Sequence, residues 1–227
     1  MDKDTWADRP SQDRIPVAAT GYPLIFLSAF VTLVFALLGF TILSVLGLAT
    51  TAFILSFFRD PDRWIPDDEN AVVSPADGKI ISIAAVDGNP FEQTPCTRIS
   101  IFMSVFNVHV NRIPHEGRVL KIHYDEGKFF SANLDKASES NERNAVLVET
   151  EKGTQICFVQ IAGLIARRII CGLKPGDEVV RGRRFGMIRF GSRLDVYVPA
   201  DFKPVLSVGE HVRAGGSILG YLQEDAA

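Results

Sequence analysis

Three side chains could carry chemistry in this sequence: Ser192 directly after Gly191, His109 on an alternating stretch with Asn107 and Asn111, and Asp77 in front of Gly78. A hydroxyl, an imidazole and a carboxylate are the parts of a nucleophile, a base and a group that orients or charges the base. No G-x-S-x-G elbow surrounds Ser192, which disfavours an ordinary serine hydrolase. A serine after glycine suits attack on the carbonyl before it, because glycine has no side chain to obstruct the approach and tolerates strained backbone angles. That attack turns the amide into an ester. Each residue also has a plainer reading: a glycine inside a strand pattern marks a bulge, Asp-Gly is a common turn pair, and a lone strand histidine is usually structural.

The elements that must position these groups read as strands. Ser192 lies in the middle of "RFGMIRFGSRLDVYVP" (184–199), which alternates like a half-buried strand. In "IFMSVFNVHVNRIP" alternation predicts Phe106, Val108 and Val110 on one face and Asn107, His109 and Asn111 on the other. From Ala71 onward, short strand patterns separated by turn signals such as Asp77-Gly78, Lys152-Gly153 and Pro175-Gly176 predict a compact, mostly β domain of the α+β kind. The polar run Ser131 to Asn144 reads as a loop or short helix. "LKPGDEVVRGRRFG" and "LSVGEHVRAGGSILG" set Gly176, Val179, Gly182 and Phe185 in register with Gly209, Val212, Gly215 and Ile218, so one turn is used twice. The pair is similar to the hairpins of biotinyl and lipoyl carrier domains, but neither has a tip lysine, so the likeness is architectural.

Ahead of this domain, no Asp, Glu, Lys or Arg occurs between Arg14 and Arg59, and Tyr22 to Phe58 is almost wholly apolar. One helix of that length would be roughly 55 Å long against a hydrocarbon core of ~30 Å, so two passes fit better, with a turn around Gly39 to Ser44. Lys3, Arg9 and Arg14 before the run and Arg59 and Arg63 after it place both ends, and the remaining chain, in the cytoplasm. Trp64 sits where an interfacial aromatic would, and the run begins too late and is too long for a signal peptide. The expected organisation is therefore a cytoplasmic segment 1–21, a membrane helical hairpin 22–58 and a β domain 59–227. Cys96, Cys157 and Cys171 lack metal-ligand or redox spacing, which fits buried thiols in a reducing compartment, and no metal is expected. The net charge of −3 hides a basic cluster of Arg167, Arg168, Lys174, Arg181, Arg183, Arg184, Arg189 and Arg193. Beside a membrane anchor this suggests an anionic lipid, or else scattered solvated charges. A nucleic-acid partner is not expected.

These stretches together resemble the short bacterial phosphatidylserine decarboxylases, which are pyruvoyl enzymes. The resemblance runs through the apolar hairpin, "FFRDPDRWIP", "SPADGKI", "FMSVFNVHVNRIP", "NERN", "KPGDEVVRGRRFGMIRFGSRLDVYVP" and the terminal glycine-rich hairpin, with "RFGSR" the most specific context. It implies self-cleavage between Gly191 and Ser192 into a β chain, Met1 to Gly191, and an α chain, Ser192 to Ala227, which stay associated; a higher oligomer is left open. In that chemistry Ser192, helped by His109 and Asp77, attacks the Gly191 carbonyl. The ester is lost by β-elimination to dehydroalanine, which tautomerises and hydrolyses to a pyruvoyl group with release of ammonia. The ketone then takes the amine of the headgroup serine and the electrons left as carbon dioxide departs, giving phosphatidylethanolamine.

His109 is the expected proton donor to the carbanion. Longer members of the family carry a second histidine where this chain has Arg112, so His109 serves both steps or another residue, such as His115, helps. Arg167, Arg168, Arg189 and Arg193 are expected to hold the lipid phosphate at the face of the cell inner membrane. Two readings stay beside this one: a noncatalytic membrane adaptor with a biotinyl-like β domain, and a decarboxylase of another serine-containing lipid. A pyruvoyl enzyme of a soluble amino acid would leave the anchor unexplained.

Overall fold

The computed structural model describes residues 16–127, 141–163, 168–189 and 192–223. The chain forms two compact units, one within Ser11–Asp62 and one within Arg63–Ala227. In the first, helix α1 (Tyr22–Leu37) is followed by α2 (Thr41–Phe57). Neither helix carries a charged residue, and no residue of α1 is buried. With the 3-10 turn Ala19–Gly21 before it, α1 makes an apolar stretch, Ala19–Leu37, whose length and composition suffice to cross a membrane; α2 is apolar but shorter.

The helices approach closely at Gly47, where a Cβ would come within 2.5 Å of Thr32 Oγ1. Beside this, Ser28 Oγ meets Thr51 Oγ1 at 2.7 Å. Small residues and hydroxyls at the seam are how helices pack where lipid removes the hydrophobic drive between them. The ends of the hairpin meet in a bridge between Val17 and Arg59, so entry and exit lie side by side. The turn is tighter than expected from sequence, Leu38 to Phe40, with Gly39 at φ 79°. Ser44 is already helical, its N–H and its hydroxyl both donating to the Phe40 carbonyl one turn back, each at 2.9 Å.

The second unit is mostly β, as its turn spacing predicts. Its strands are β1 (Ala71–Val73), β2 (Gly78–Val86), β3 (Cys96–Met103), β4 (Val110–Arg112), β5 (Gly117–Asp125), β6 (Arg143–Glu149) and β7 (Gln155–Ala162). They continue as β8 (Ile169–Cys171), β9 (Glu178–Val179), β10 (Arg184–Ile188), β11 (Ser192–Pro199), β12 (Lys203–Pro204), β13 (His211–Val212) and β14 (Ile218–Tyr221). Eight form one sheet in the order β13-β2-β3-β11-β7-β6-β5-β9, while β4-β10-β8 and β1-β14-β12 are small sheets of three. The polar run expected as a loop lies outside the described residues up to residue 140, and its end is structured: Asn141 is buried and donates to the Ala162 carbonyl at 2.7 Å.

The two glycine-valine hairpins bind the large sheet in the same way at opposite edges. Gly209 N–H donates to Ile80 O and Gly176 N–H to Val119 O, each at 2.8 Å, with φ of 102° and 93° that a side chain would strain. Val212 then pairs with Gly78 at one edge and Val179 with Gly117 at the other. The acceptors are themselves a repeat: Pro75, Asp77, Gly78 and Ile80 correspond to Pro114, Glu116, Gly117 and Val119. This second repeat is readable as P-x-[DE]-G-[KR] and is the partner signal that the first required.

Strand β11 sits at the middle of the large sheet, between β3 and β7, and is covered on both faces. Leu194, Val196 and Val198 join Ile99, Ile101, Phe158 and Phe185 in the main core. On the opposite face Arg193 pairs with Asp195 through two bonds of 2.6 and 2.9 Å and donates to Ser100 Oγ at 2.9 Å, all within the protein. Breaking such a pair strands one buried charge. Asp195→Ala should therefore destabilise the domain by about 3–5 kcal/mol, whereas replacing both members by apolar residues should cost far less. Thermal unfolding of the purified chain in detergent, single against double variant, checks this; equal losses would mean that shape rather than charge is what matters there.

Candidate active site

The sequence stretch that alternates as one strand is two strands in two sheets. β10 ends at Ile188 between β4 and β8, and β11 begins at Ser192 between β3 and β7, so the chain changes sheets where the Gly191-Ser192 bond lies. Gly191 itself, like Arg167, lies outside the described residues. Ser192 is wholly buried, paired in register with Met103 on one side and Ala162 on the other. Its hydroxyl donates to Met103 Sδ at 3.3 Å. A thioether is a weak acceptor, so the hydroxyl is held without being strongly engaged.

His109 does not sit on a continuous strand face. The stretch from Ser104 to His109 is a turn between β3 and β4, closed by Asn107 Oδ1, which accepts from Ser104 N–H at 2.9 Å and Ser104 Oγ at 2.8 Å. The expected alternation breaks here because an asparagine side chain offers the backbone a local alternative to the ladder. Phe106, assigned by periodicity to an apolar face with Val108 and Val110, is accordingly 75% exposed.

The turn buries the His109 ring and sets its tautomer. Nδ1 lies 2.9 Å from the Asn107 carbonyl, which can only accept, so Nδ1 carries a hydrogen and a neutral ring presents the Nε2 lone pair. The backbone links the His109 turn to the end of β10, since Ile188 N–H donates to His109 O at 3.4 Å.

The structure does not bring Asp77 onto His109. Asp77 Oδ2 takes Arg63 at 2.8 Å and Oδ1 takes the Ala214 N–H at 2.8 Å. Its counterpart in the second half, Glu116, likewise faces an arginine, Arg181, at 3.3 Å. The carboxylate closes a turn onto a hairpin, and the group that orients the imidazole is the Asn107 carbonyl. A side-chain pattern gives no sign of a carbonyl in that role; the cue available was the Ser-x-x-Asn spacing of a side-chain-closed turn.

Beside Ser192, three buried amides that sequence reasoning did not join form a chain. Asn144 Nδ2 donates to Gln160 Oε1 at 3.0 Å across the β6–β7 ladder, and Gln160 Nε2 to Asn111 Oδ1 at 2.9 Å. Asn111 Nδ2 then faces Met103 Sδ, the sulfur that Ser192 touches, at 3.8 Å. Alternation puts Asn144, Gln160 and Ser192 on the same face as the main core, where they form its polar end. Cys171 borders this chain; burial pushes its thiol up, opposed by the Leu173 N–H and the Asn144 amide, so it stays a thiol and offers no rival nucleophile.

Arg112, at the position of the second histidine of longer relatives, is buried and donates to the Gly182 carbonyl at 2.8 Å. His115 is turned away to the Glu116 and Glu69 carbonyls, at 2.8 and 3.1 Å. Of the arginines expected to bind phosphate, Arg193 is corrected by its burial against Asp195. Arg168 is exposed and joined to Arg189 by a backbone bond of 3.3 Å, three residues before Ser192. Arg181, of the wider basic cluster, is also structural, donating to the Asp68 and Ala71 carbonyls. A groove of about 1060 Å³, lined by Glu116, Arg118, Glu149, Asp177, Arg184 and Phe185, lies at the other end of β10 and contains neither Ser192 nor His109.

A wholly buried serine opens the central strand where the chain changes sheets, paired with Met103 just ahead of the turn that carries His109. Residues 50–220 match the family model of phosphatidylserine decarboxylase. Curated relatives bear the name phosphatidylserine decarboxylase proenzyme. That of Desulfotalea psychrophila is 52% identical over 93% of this chain and 99% of its own. That of Syntrophus aciditrophicus is 52% identical over 90% and 96%. That of Rickettsia felis is 48% identical over 86% of each. The chain belongs to the phosphatidylserine decarboxylase family.

Proposed function

We propose that this chain is a proenzyme that cleaves itself between Gly191 and Ser192 and, as an associated pair of chains, converts phosphatidylserine to phosphatidylethanolamine and carbon dioxide. The observation that carries the reading is the burial of Ser192 at the start of the central strand, beside the ring-bearing turn of His109. In self-cleavage His109 Nε2 takes the Ser192 hydroxyl proton as Oγ bonds to the Gly191 carbonyl carbon. The C–N bond then breaks to leave an ester and a free amine. Loss of the Ser192 α-proton expels Oγ as part of the Gly191 carboxylate, and hydrolysis of the resulting enamine releases ammonia and leaves a pyruvoyl group. The residues present fit that group: it takes no more room than the serine it replaces at the buried start of the strand.

When formed, the ketone supplies an electron sink for decarboxylation. The chain's own residues do the rest. Asn107 holds the imidazole, and His109 delivers the proton to the carbon that loses carbon dioxide. Arg168 and Arg189 hold the lipid phosphate at the rim, with Arg167 beside them in sequence. Direct assistance by Asp77 would require it to release Arg63 or Ala214, so its place in this reading is at the hairpin. The apolar helices keep the site at headgroup level, and the arginines flanking them support an inner membrane location with the β domain on the cytoplasmic face.

One preparation tests the reading. Membranes from cells expressing the chain should contain a small fragment whose intact mass is that of residues 192–227 with a pyruvoyl cap. They should release carbon dioxide from phosphatidylserine, and protease should reach the β domain in inverted vesicles but not in right-side-out ones. A single uncleaved chain in active membranes would overturn self-cleavage, and an uncleaved chain in inactive membranes would favour the adaptor.

A further inference from the structure

We infer that Asn111 is a catalytic residue of self-cleavage: its side-chain amide is the hydrogen-bond donor that stabilises negative charge on Ser192 Oγ as the ester oxygen leaves. This deepens the proposed function and rests on it.

The argument begins with the direction of the amide chain. Oxygen and nitrogen of a side-chain amide are told apart by their partners, and here the partners decide. Gln160 Nε2 faces the Ile170 carbonyl at 3.4 Å, and a carbonyl can only accept. Gln160 therefore presents its NH2 to Asn111, Asn111 must answer with Oδ1, and its own NH2 is turned toward the Met103 sulfur, on which the Ser192 hydroxyl also rests. The chain's other end agrees, since Gln160 Oε1 accepts from Asn144. Gly186 makes room for this, because a Cβ there would stand 2.2 Å from the Ile170 carbonyl and 3.0 Å from Gln160 Nε2.

The result is an amide donor, wholly buried, whose orientation is fixed by two further buried amides. Among the described residues its Nδ2 meets no acceptor stronger than the Met103 thioether, at 3.8 Å. A buried donor left on so poor an acceptor is costly for folding alone. It is suited to a group whose charge develops only during reaction, as preorganised donors are in oxyanion sites. The other polar group on that sulfur is Ser192 Oγ, at 3.3 Å. Methionine is flexible enough to move aside and let the two meet.

Elimination is the step that needs this. When the α-proton of residue 192 leaves, the Cβ–Oγ electron pair goes to oxygen, which departs carrying the charge of the new Gly191 carboxylate. A donor on Oγ lowers that barrier.

The test uses the full-length chain in detergent and follows the fraction cleaved on denaturing gels, with and without hydroxylamine, which cuts the ester but not the amide. Asn111→Asp keeps the oxygen that accepts from Gln160 and removes the donor, while Asn111→Leu removes both. Both should form fragments ~10²-fold more slowly than the wild-type chain. In both, hydroxylamine should cut the uncleaved band, showing chains halted at the ester. A residue needed only to hold Gln160 would be rescued by Asp. Wild-type cleavage rates in either variant that unfolds at the wild-type temperature overturn the inference, as does slow cleavage with no hydroxylamine-sensitive fraction. If the wild-type chain itself never cleaves, the proposed function fails instead.

Discussion

Ser192→Ala should leave a single chain with no decarboxylase activity and an unfolding temperature within a degree or two of the uncleaved proenzyme's. The stability half follows from what the hydroxyl does in the folded protein. Ser192 is wholly buried and Oγ makes one weak bond, to the Met103 thioether, so a methyl in its place loses little packing and orphans no strong donor. The chemical half follows because Oγ is both the attacking atom and the leaving group, and Cα and Cβ of this residue become the cofactor. Loss should be complete rather than graded. Ser192→Cys and Ser192→Thr should cleave slowly, since each keeps a nucleophile; threonine brings an extra methyl into a fully packed position. Two fragments of normal mass from the alanine variant would sink the mechanism at its first step.

The contrast between what the sequence discloses and what it hides follows the range of the interactions. Strand positions from Ala71 onward are legible because alternation and Gly-Pro-Asp punctuation are local, and β5, β6, β7 and β11 lie where the pattern puts them. The hairpin repeat is legible too, although its meaning depends on a second repeat, at Pro75 and Pro114, that periodicity does not call up. Ser192 and His109 are legible as residue types. Their relation is not, because it is made by a change of sheet at the end of β10 and by the Asn107 turn. Alternation carried through Phe106 to Asn111 reads that turn as strand, and a side chain bonding backbone within three residues is the competing effect that prevailed.

Charge counting went astray for a similar reason. Arg181 and Arg193 count toward a basic surface until their partners are known, and those partners, the Asp68 and Ala71 carbonyls in one case and Asp195 with Ser100 in the other, are distant in sequence or on the hidden face of a strand. Asp77 illustrates the same limit. Asp-Gly predicts a turn correctly, but not that the carboxylate will reach across to Ala214.

His109→Ala should lower both self-cleavage and turnover, each by ~10²- to 10⁴-fold, the range for removal of a general acid or base. The proposed function has one imidazole act twice, because the positions that could share the work are committed elsewhere. Arg112 is buried on the Gly182 carbonyl, and both ring nitrogens of His115 face carbonyls of Glu116 and Glu69. The fraction of His109→Ala that does cleave should still capture substrate through the pyruvoyl group, so that borohydride traps it on the α chain, yet turn it over poorly. That pattern places the defect after substrate capture, at proton delivery. Restoring a second histidine with Arg112→His gives up the bond to Gly182 and should not rescue decarboxylation in a His109→Ala background, whatever it does for cleavage. Because the Asn107 carbonyl fixes the hydrogen on Nδ1, the proposed function assigns the proton exchange of both steps to Nε2. His109→Gln, which offers an amide but cannot take up a proton, should therefore fare no better than alanine. Full turnover by cleaved His109→Ala would remove the imidazole from decarboxylation and leave the proton to a water or to a group outside the described residues.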